Sequence, residues 1–337
     1  MPWTLLTIPP EIRDIIIETT LLSSRPPDVA TAALAPSRQA AVKTWDPHDF
    51  RNNPFLAWDY GLYNVKFAKS RAYTTSNALP LLLTNHQLNA EAHSAIARLD
   101  DKVRRYELDV MVVNERELWP TWTCVPVLTR HVEQVNVTFR LYASQSHESG
   151  YYALKPGDGS PPSLLWCFYF ILEHFLKRGP GGTFGIGEKD KEICVKVINV
   201  AFAAGEGQQI LQERPSWQRV YKGAKVGTGR IMQPLWIAQM ISDPLSSLLC
   251  MNYHTAEYGA ILHERVGTIR VSVAGELLIE LNIARVLAEL AWYDAGSTFG
   301  HIPREKRLSV FWKWKKDAVK LRYERGLPVE ENNVFKE

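Results

Sequence analysis

The sequence predicts an α+β protein: an N-terminal helical unit over residues 1–100, then a mixed α/β domain over residues 101–337 with about four strands and helices packed against them. Three observations carry this reading. Two amphipathic helical segments stand in the first hundred residues, separated by an aromatic-rich stretch. Beyond residue 100, β-branched runs alternate with longer helical patterns, as in a sheet with helices against it. Hydrophobic residues make up 46% of the 337 and charged residues 22%, which allows a substantial core and argues against wholesale disorder.

The first helix runs from Pro9 to Leu22. Proline is tolerated in a first helical turn, where its missing N–H costs nothing, and Glu11 sits near the positive end of the helix dipole. Ile12, Ile15, Ile16 and Thr19 recur at i, i+3, i+4 and i+7 and make one stripe. Residues 23–78 read as an irregular insertion carrying Trp45, Phe50, Phe55, Trp58, Tyr60, Tyr63, Phe67 and Tyr73, too apolar for a floppy linker. A second helix is predicted from Leu79 to Leu99, with Asn77 as its cap, Pro80 in its first turn, and a stripe of Leu81, Leu88, Ala92, Ala95 and Leu99. The expected strands are Tyr106–Val113, Gln134–Leu141, Ile193–Ala201 and Thr268–Ala274. The expected helices are Ser163–Lys177, Pro234–Leu249, Glu276–Trp292 and Arg304–Arg325. Loops are expected at Ser144–Pro162 and at the glycine-rich Gly179–Gly187.

Several function classes find no support. The cysteines Cys124, Cys167, Cys194 and Cys250 stand singly, without the paired spacing of a zinc ribbon, and read mostly as buried thiols. His86, Glu91 and His93 share a helix, but the spacing is not that of a His-Glu-x-x-His zinc site and no further ligand is marked, so no metal is expected. Gly179–Gly187 lies between a helix and a strand, whereas a phosphate loop follows a strand and opens a helix; no cofactor is expected. No nucleophile elbow is present and no catalytic residue can be nominated. Glu11, Arg13 and Asp14 interrupt the N-terminal apolar run, which therefore does not read as a signal peptide, and no apolar stretch reaches the length of a membrane span. The expectation is a cytoplasmic or nuclear protein with no membrane partner. The formal net charge of +3 is too small to argue for nucleic acid. The last helix is basic, with Trp312 and Trp314 among its cations, but Leu308, Phe311, Trp312, Val319 and Tyr323 read as an ordinary core stripe that closes the domain.

Two segments carry a family resemblance. The first is Leu5-Leu-Thr-Ile-Pro-Pro-Glu-Ile-Arg-Asp-Ile-Ile-Ile-Glu18, in which Ile8, Pro9, Glu11, Ile12 and Ile16 fill a Leu-Pro-x-Glu-Ile pattern followed by an apolar residue four positions on. The second is Leu81-Leu-Leu-Thr-Asn-His-Gln-Leu-Asn-Ala-Glu-Ala-His-Ser94. In this order the pair resembles fungal F-box-like proteins, many of which separate the two motifs by an insertion. Ile8 stands where leucine is usual, and the insertion is far longer than the connection in a compact F-box. The resemblance implies an F-box-like helical unit at residues 1–100. It also implies docking to a Skp1-like linker protein of a cullin ubiquitin ligase, with Leu6, Ile8, Pro9, Ile12, Ile15 and Ile16 as anchors in a groove. The rest of the chain would then hold an unknown target protein or ligand. Two other expectations stand beside it: the first helix packs on the C-terminal domain as plain structure, or the chain is a fungal enzyme or small-molecule binder whose aromatic residues line a pocket.

Overall fold

A computed structural model describes residues 5–27, 38–40, 65–68, 76–100, 104–144, 163–180, 189–213, 229–251, 256–291 and 303–330. Most of the aromatic insertion and of the two expected loops lies outside the described residues. Two consecutive prolines open the first helix. Leu5–Thr7 form a 3₁₀ turn, and α1 spans Pro10–Leu22, its first turn closed by the Pro9 carbonyl accepting from the Ile12 and Arg13 N–H groups, each at 3.1 Å. The short strands β1 (Arg38–Ala40) and β2 (Lys66–Ala68) pair antiparallel.

The expected helix over Leu79–Leu99 is two helices, α2 (Ala78–Leu82) and α3 (His86–Arg98). Asn85 causes the break. Its backbone is extended and its side chain accepts from the Leu88 N–H at 2.9 Å, an N-cap that starts a new helix. Asn77 does not cap α2 with its side chain as expected. Its amide donates to the carbonyls of Leu21 and Ser23, both at 2.9 Å, and ties down the end of α1. Ile17, Leu21, Ala78, Leu88, Ala92 and Ala95 form a small core of their own, with Leu81 and Leu99 at its edge.

The main sheet has six strands rather than about four. These are β3 (Arg105–Val113), β4 (Glu117–Cys124), β5 (His131–Tyr142), β6 (Cys194–Ala204), β9 (Val266–Val273) and β10 (Glu276–Asn282), in the order β10-β9-β6-β5-β3-β4. Two further short strands, β7 (Gln209–Ile210) and β8 (Arg230–Ile231), pair with each other. The four predicted strands are the parallel centre β3, β5, β6 and β9, and the two unpredicted ones are its antiparallel edges. β4 contains Pro120, which speaks against a central strand but is tolerated at an edge. β10 replaces the first half of the expected helix Glu276–Trp292. Ala274 and Gly275 both adopt positive φ, 51° and 88°, and this two-residue turn folds Glu276 back along β9. Asn282 then caps the short helix α7 (Ile283–Glu289) by accepting from the Arg285 N–H.

One face of the sheet is apolar. Leu108, Val110, Val137, Phe139, Ile198, Phe202, Ile269 and Val271 join a single core with the helices α4 (Ser163–Arg178), α5 (Pro234–Leu249) and α6 (Ala256–Arg265). The alternating residues carry polar pairs instead: Arg140 grips Asp109 at 2.5 and 2.7 Å, and Asn136 donates to Glu107 and accepts from Asn199. The last helix, α8 (Arg304–Glu324), buries Phe311, Ala318 and Arg322. Its expected stripe is displaced: Leu308, Trp312 and Tyr323 are exposed, because the fully buried Arg322 fixes the helix by another face. No described helix is long and apolar enough to cross a membrane.

Candidate protein-docking surface

Whether α1 can meet a partner depends on how it is rotated about its axis, and a salt bridge sets that rotation. Arg13 is buried. Its guanidinium donates three bonds to the Glu91 carboxylate on α3, at 2.7, 2.9 and 3.2 Å, and donates to the carbonyls of Leu6 at 3.2 Å and Ile8 at 2.7 Å. These bonds hold the Glu91 carboxyl below its ordinary range and Arg13 above its own. Gln87, one turn earlier on α3, donates to Glu91 as well. Arg98 adds a peripheral clamp, reaching Asp14 at 3.1 Å and Glu18 at 3.2 Å.

Arg13, Ile17 and Leu21, four residues apart, therefore face α3. The sequence stripe is real but points the other way. At about 100° per residue, Ile12, Ile15, Ile16 and Thr19 occupy an arc of about 100° on the far side. Leu6, Ile12, Ile15 and Ile16 are 44%, 48%, 60% and 39% exposed. Pro9 is exposed too, and Ile8 is half-buried with its carbonyl held by Arg13. The helix rests on α2 and α3, and its C-terminal end meets β4 where the Arg25 N–H donates to the Thr123 carbonyl.

The two sequence motifs meet at this interface. Arg13 of the first reaches Glu91 of the second. Within the second, Asn85 caps α3, Asn89 donates to the Leu82 carbonyl at 2.6 Å, and Leu88 and Ala92 fill the core. The buried role of Arg13 is one that sequence periodicity does not reveal, because arginine counts as polar in any apolar stripe.

Other candidate groups are differently disposed. His86 and His93 are exposed, and Glu91 is taken by Arg13. Among the described residues no three side chains converge to hold a metal. Cys124, Cys167 and Cys194 are buried thiols, and Cys250 is exposed. Aromatic rings pack on one another within the core, in the groups Tyr106–Trp122–Phe175 and Phe139–Phe168–Phe202.

Glu115, which no sequence signal singles out, is a buried carboxyl in the β3–β4 turn. One oxygen accepts from the Met232 N–H at 2.8 Å and the other has no protein partner, so burial pushes its pKa up to about 7. Its ionised form is disfavoured in the fold, so its contribution is intact below the unfolded pKa of about 4.5 and is lost as pH rises through about 7. Glu115→Gln is therefore expected to gain about 3 kcal/mol over the parent protein on going from below to above that window. Urea denaturation at the two pH values tests this, and a pH-independent difference would contradict it.

A scan against protein-family models finds no match, and searches of the curated proteins and of the solved structures return none. The fold and surface together define an α+β protein with a helical element whose apolar face is turned to solvent.

Proposed function

We propose that this chain is an F-box-like interaction protein, a substrate adaptor that offers α1 to a Skp1-like linker of a cullin ubiquitin ligase. A single observation carries the reading: the apolar arc of Leu6, Ile12, Ile15 and Ile16 is exposed on a helix whose rotation is locked by Arg13 and Glu91. A helix that packs on its neighbour through Arg13, Ile17 and Leu21 has no internal use for three outward isoleucines. Their burial in a groove would supply about 1.5–3 kcal/mol each. Glu11, Asp14 and Glu18 lie on the same helix and would form the charged rim. The remaining surfaces would hold a target protein, and the adaptor reading places the chain in the cytoplasm or nucleus.

The test is calorimetric titration of the full chain with a purified Skp1-like protein, against an Ile12→Asp, Ile16→Asp double variant. Both positions are exposed, and an aspartate at 12 suits the first turn of a helix, so the melting temperature should barely move. The variant is expected to bind at least about 100-fold more weakly. An intact chain that does not bind, or a folded variant that binds equally, removes the proposal.

A further inference from the structure

A second surface, independent of α1, lies on α8. At about 100° per residue, Leu308, Val319, Trp312 and Tyr323 fall within an arc of about 60°, and Lys316, Lys320 and Lys313 fill the next about 60°. Leu308 and Trp312 are 46% and 49% exposed and Tyr323 is 81% exposed; Val319 is half-buried. From Leu308 to Tyr323 the apolar row runs about 22 Å.

The adjoining face, on the side away from the lysines, is fixed to the domain. Phe311 and Ala318 are buried, and Trp314 donates to Glu264 at 3.1 Å. Arg322 donates to the carbonyls of His263 and Val266, at 2.6 and 2.8 Å. Lys315 donates to the carbonyls of Ala288 and Leu290 where α7 ends. The helix cannot roll its aromatic row inward without breaking these bonds.

Away from the domain the helix carries one more lysine than carboxylate: Lys306, Lys313, Lys316 and Lys320 against Glu305, Asp317 and Glu324. Lys306, Lys313 and Lys316 have no ion-pair partner among the described residues, and Lys320 reaches Glu324 only at 3.7 Å. Some exposed cations elsewhere are paired, among them Arg98 with Asp14 and Glu18, Arg270 with Glu280, and Arg285 with Glu289. The acids on α8, Glu305, Asp317 and Glu324, leave this lysine row in excess.

We propose that the outward face of α8 docks an acidic amphipathic helix of a partner protein. A straight apolar row with residues four and seven apart is the seam that a second helix fills. The lysine row along one side matches a row of carboxylates beside the partner's own apolar seam. A nucleic-acid backbone would leave Leu308 and Val319 uncovered. A membrane-surface helix wants a broad apolar face with cations on both flanks, whereas this row is narrow and borders the protein on its other side.

The test uses the full chain and four probes: a synthetic amphipathic helix of about 20 residues with leucines in heptad spacing and glutamates beside them, a scrambled peptide of the same composition, a single-stranded DNA oligonucleotide, and phosphatidylserine vesicles. The ordered peptide is expected to bind at least about tenfold tighter than the scrambled one. Trp312→Ser should weaken it by about tenfold or more, and Lys313→Glu, Lys316→Glu, Lys320→Glu together by about 100-fold. All four positions are on the exposed side, and unchanged thermal melting verifies that the variants fold. Equal binding of the two peptides, an indifferent Trp312→Ser variant, or tighter binding to DNA or vesicles overturns the proposal.

Discussion

Replacing Arg322 by alanine is expected to destabilise the protein by about 3–5 kcal/mol, measured as the shift in urea denaturation at neutral pH. Arg322 is the largest fully buried side chain among the described residues. Its Nη1 donates to the carbonyls of His263 at 2.6 Å and Val266 at 2.8 Å, and its Nε to Pro328 at 2.9 Å. These carbonyls belong to the last turn of α6, the first residue of β9 and the segment after α8, so one guanidinium joins three elements that no local sequence pattern connects. Burial lowers its pKa to about 10, still far above neutrality, and the charge is kept. Alanine would strand buried acceptors, at about 1–3 kcal/mol for each left without a donor, and open a cavity where the side chain stood. Lysine keeps the charge but lacks the planar fork, and should recover only part of the loss. A cost below about 1 kcal/mol for alanine would mean that water replaces the guanidinium, and would remove Arg322 as the joint between α8 and the sheet.

Gly259→Ala is expected to destabilise by about 1–3 kcal/mol although the residue lies inside a helix. In an exposed helix the same change stabilises by about 1 kcal/mol, so the sign is the test. A Cβ at Gly259 would lie 2.2 Å from the Leu248 carbonyl oxygen and 2.7 Å from the Met251 sulfur. The thioether can swing aside. The carbonyl belongs to the last turn of α5 and moves only with the backbone. Glycine therefore lets α6 approach the end of α5, and α6 in turn presents His263 to the Leu249 carbonyl, at 2.9 Å, and carries one of the carbonyls that Arg322 holds, that of His263. Thermal melting gives the answer directly, and a rise in melting temperature on substitution would refute the close-approach argument.

Periodicity located α1, α4, α5 and α8 to within a residue or two because each is long and its neighbours are turn formers. It located β3, β5, β6 and β9 because parallel strands with an apolar face read as β-branched runs. It missed β4 and β10. Their residues become strands by pairing with a neighbour already in place, and Pro120 in one and the Leu277-Leu-Ile279 run in the other contradict the local strand signal. It fused α2 with α3 because a cap such as Asn85 is legible only when the N–H it accepts is known.

On the candidate surface, the sequence by itself determined that α1 has an apolar stripe of Ile12, Ile15 and Ile16, since composition and a helical period suffice for that. Only the tertiary structure decided that the stripe faces solvent. Both faces of α1 carry isoleucine, and what selects the inner one is a buried ion pair between Arg13 and Glu91, residues 78 positions apart. The same holds for α8: Leu308, Trp312 and Tyr323 were legible as a row, but a buried Arg322 turned that row outward. Amphipathicity counts arginine as a surface residue, and in both helices a buried arginine that donates to several acceptors is what fixes the inner face.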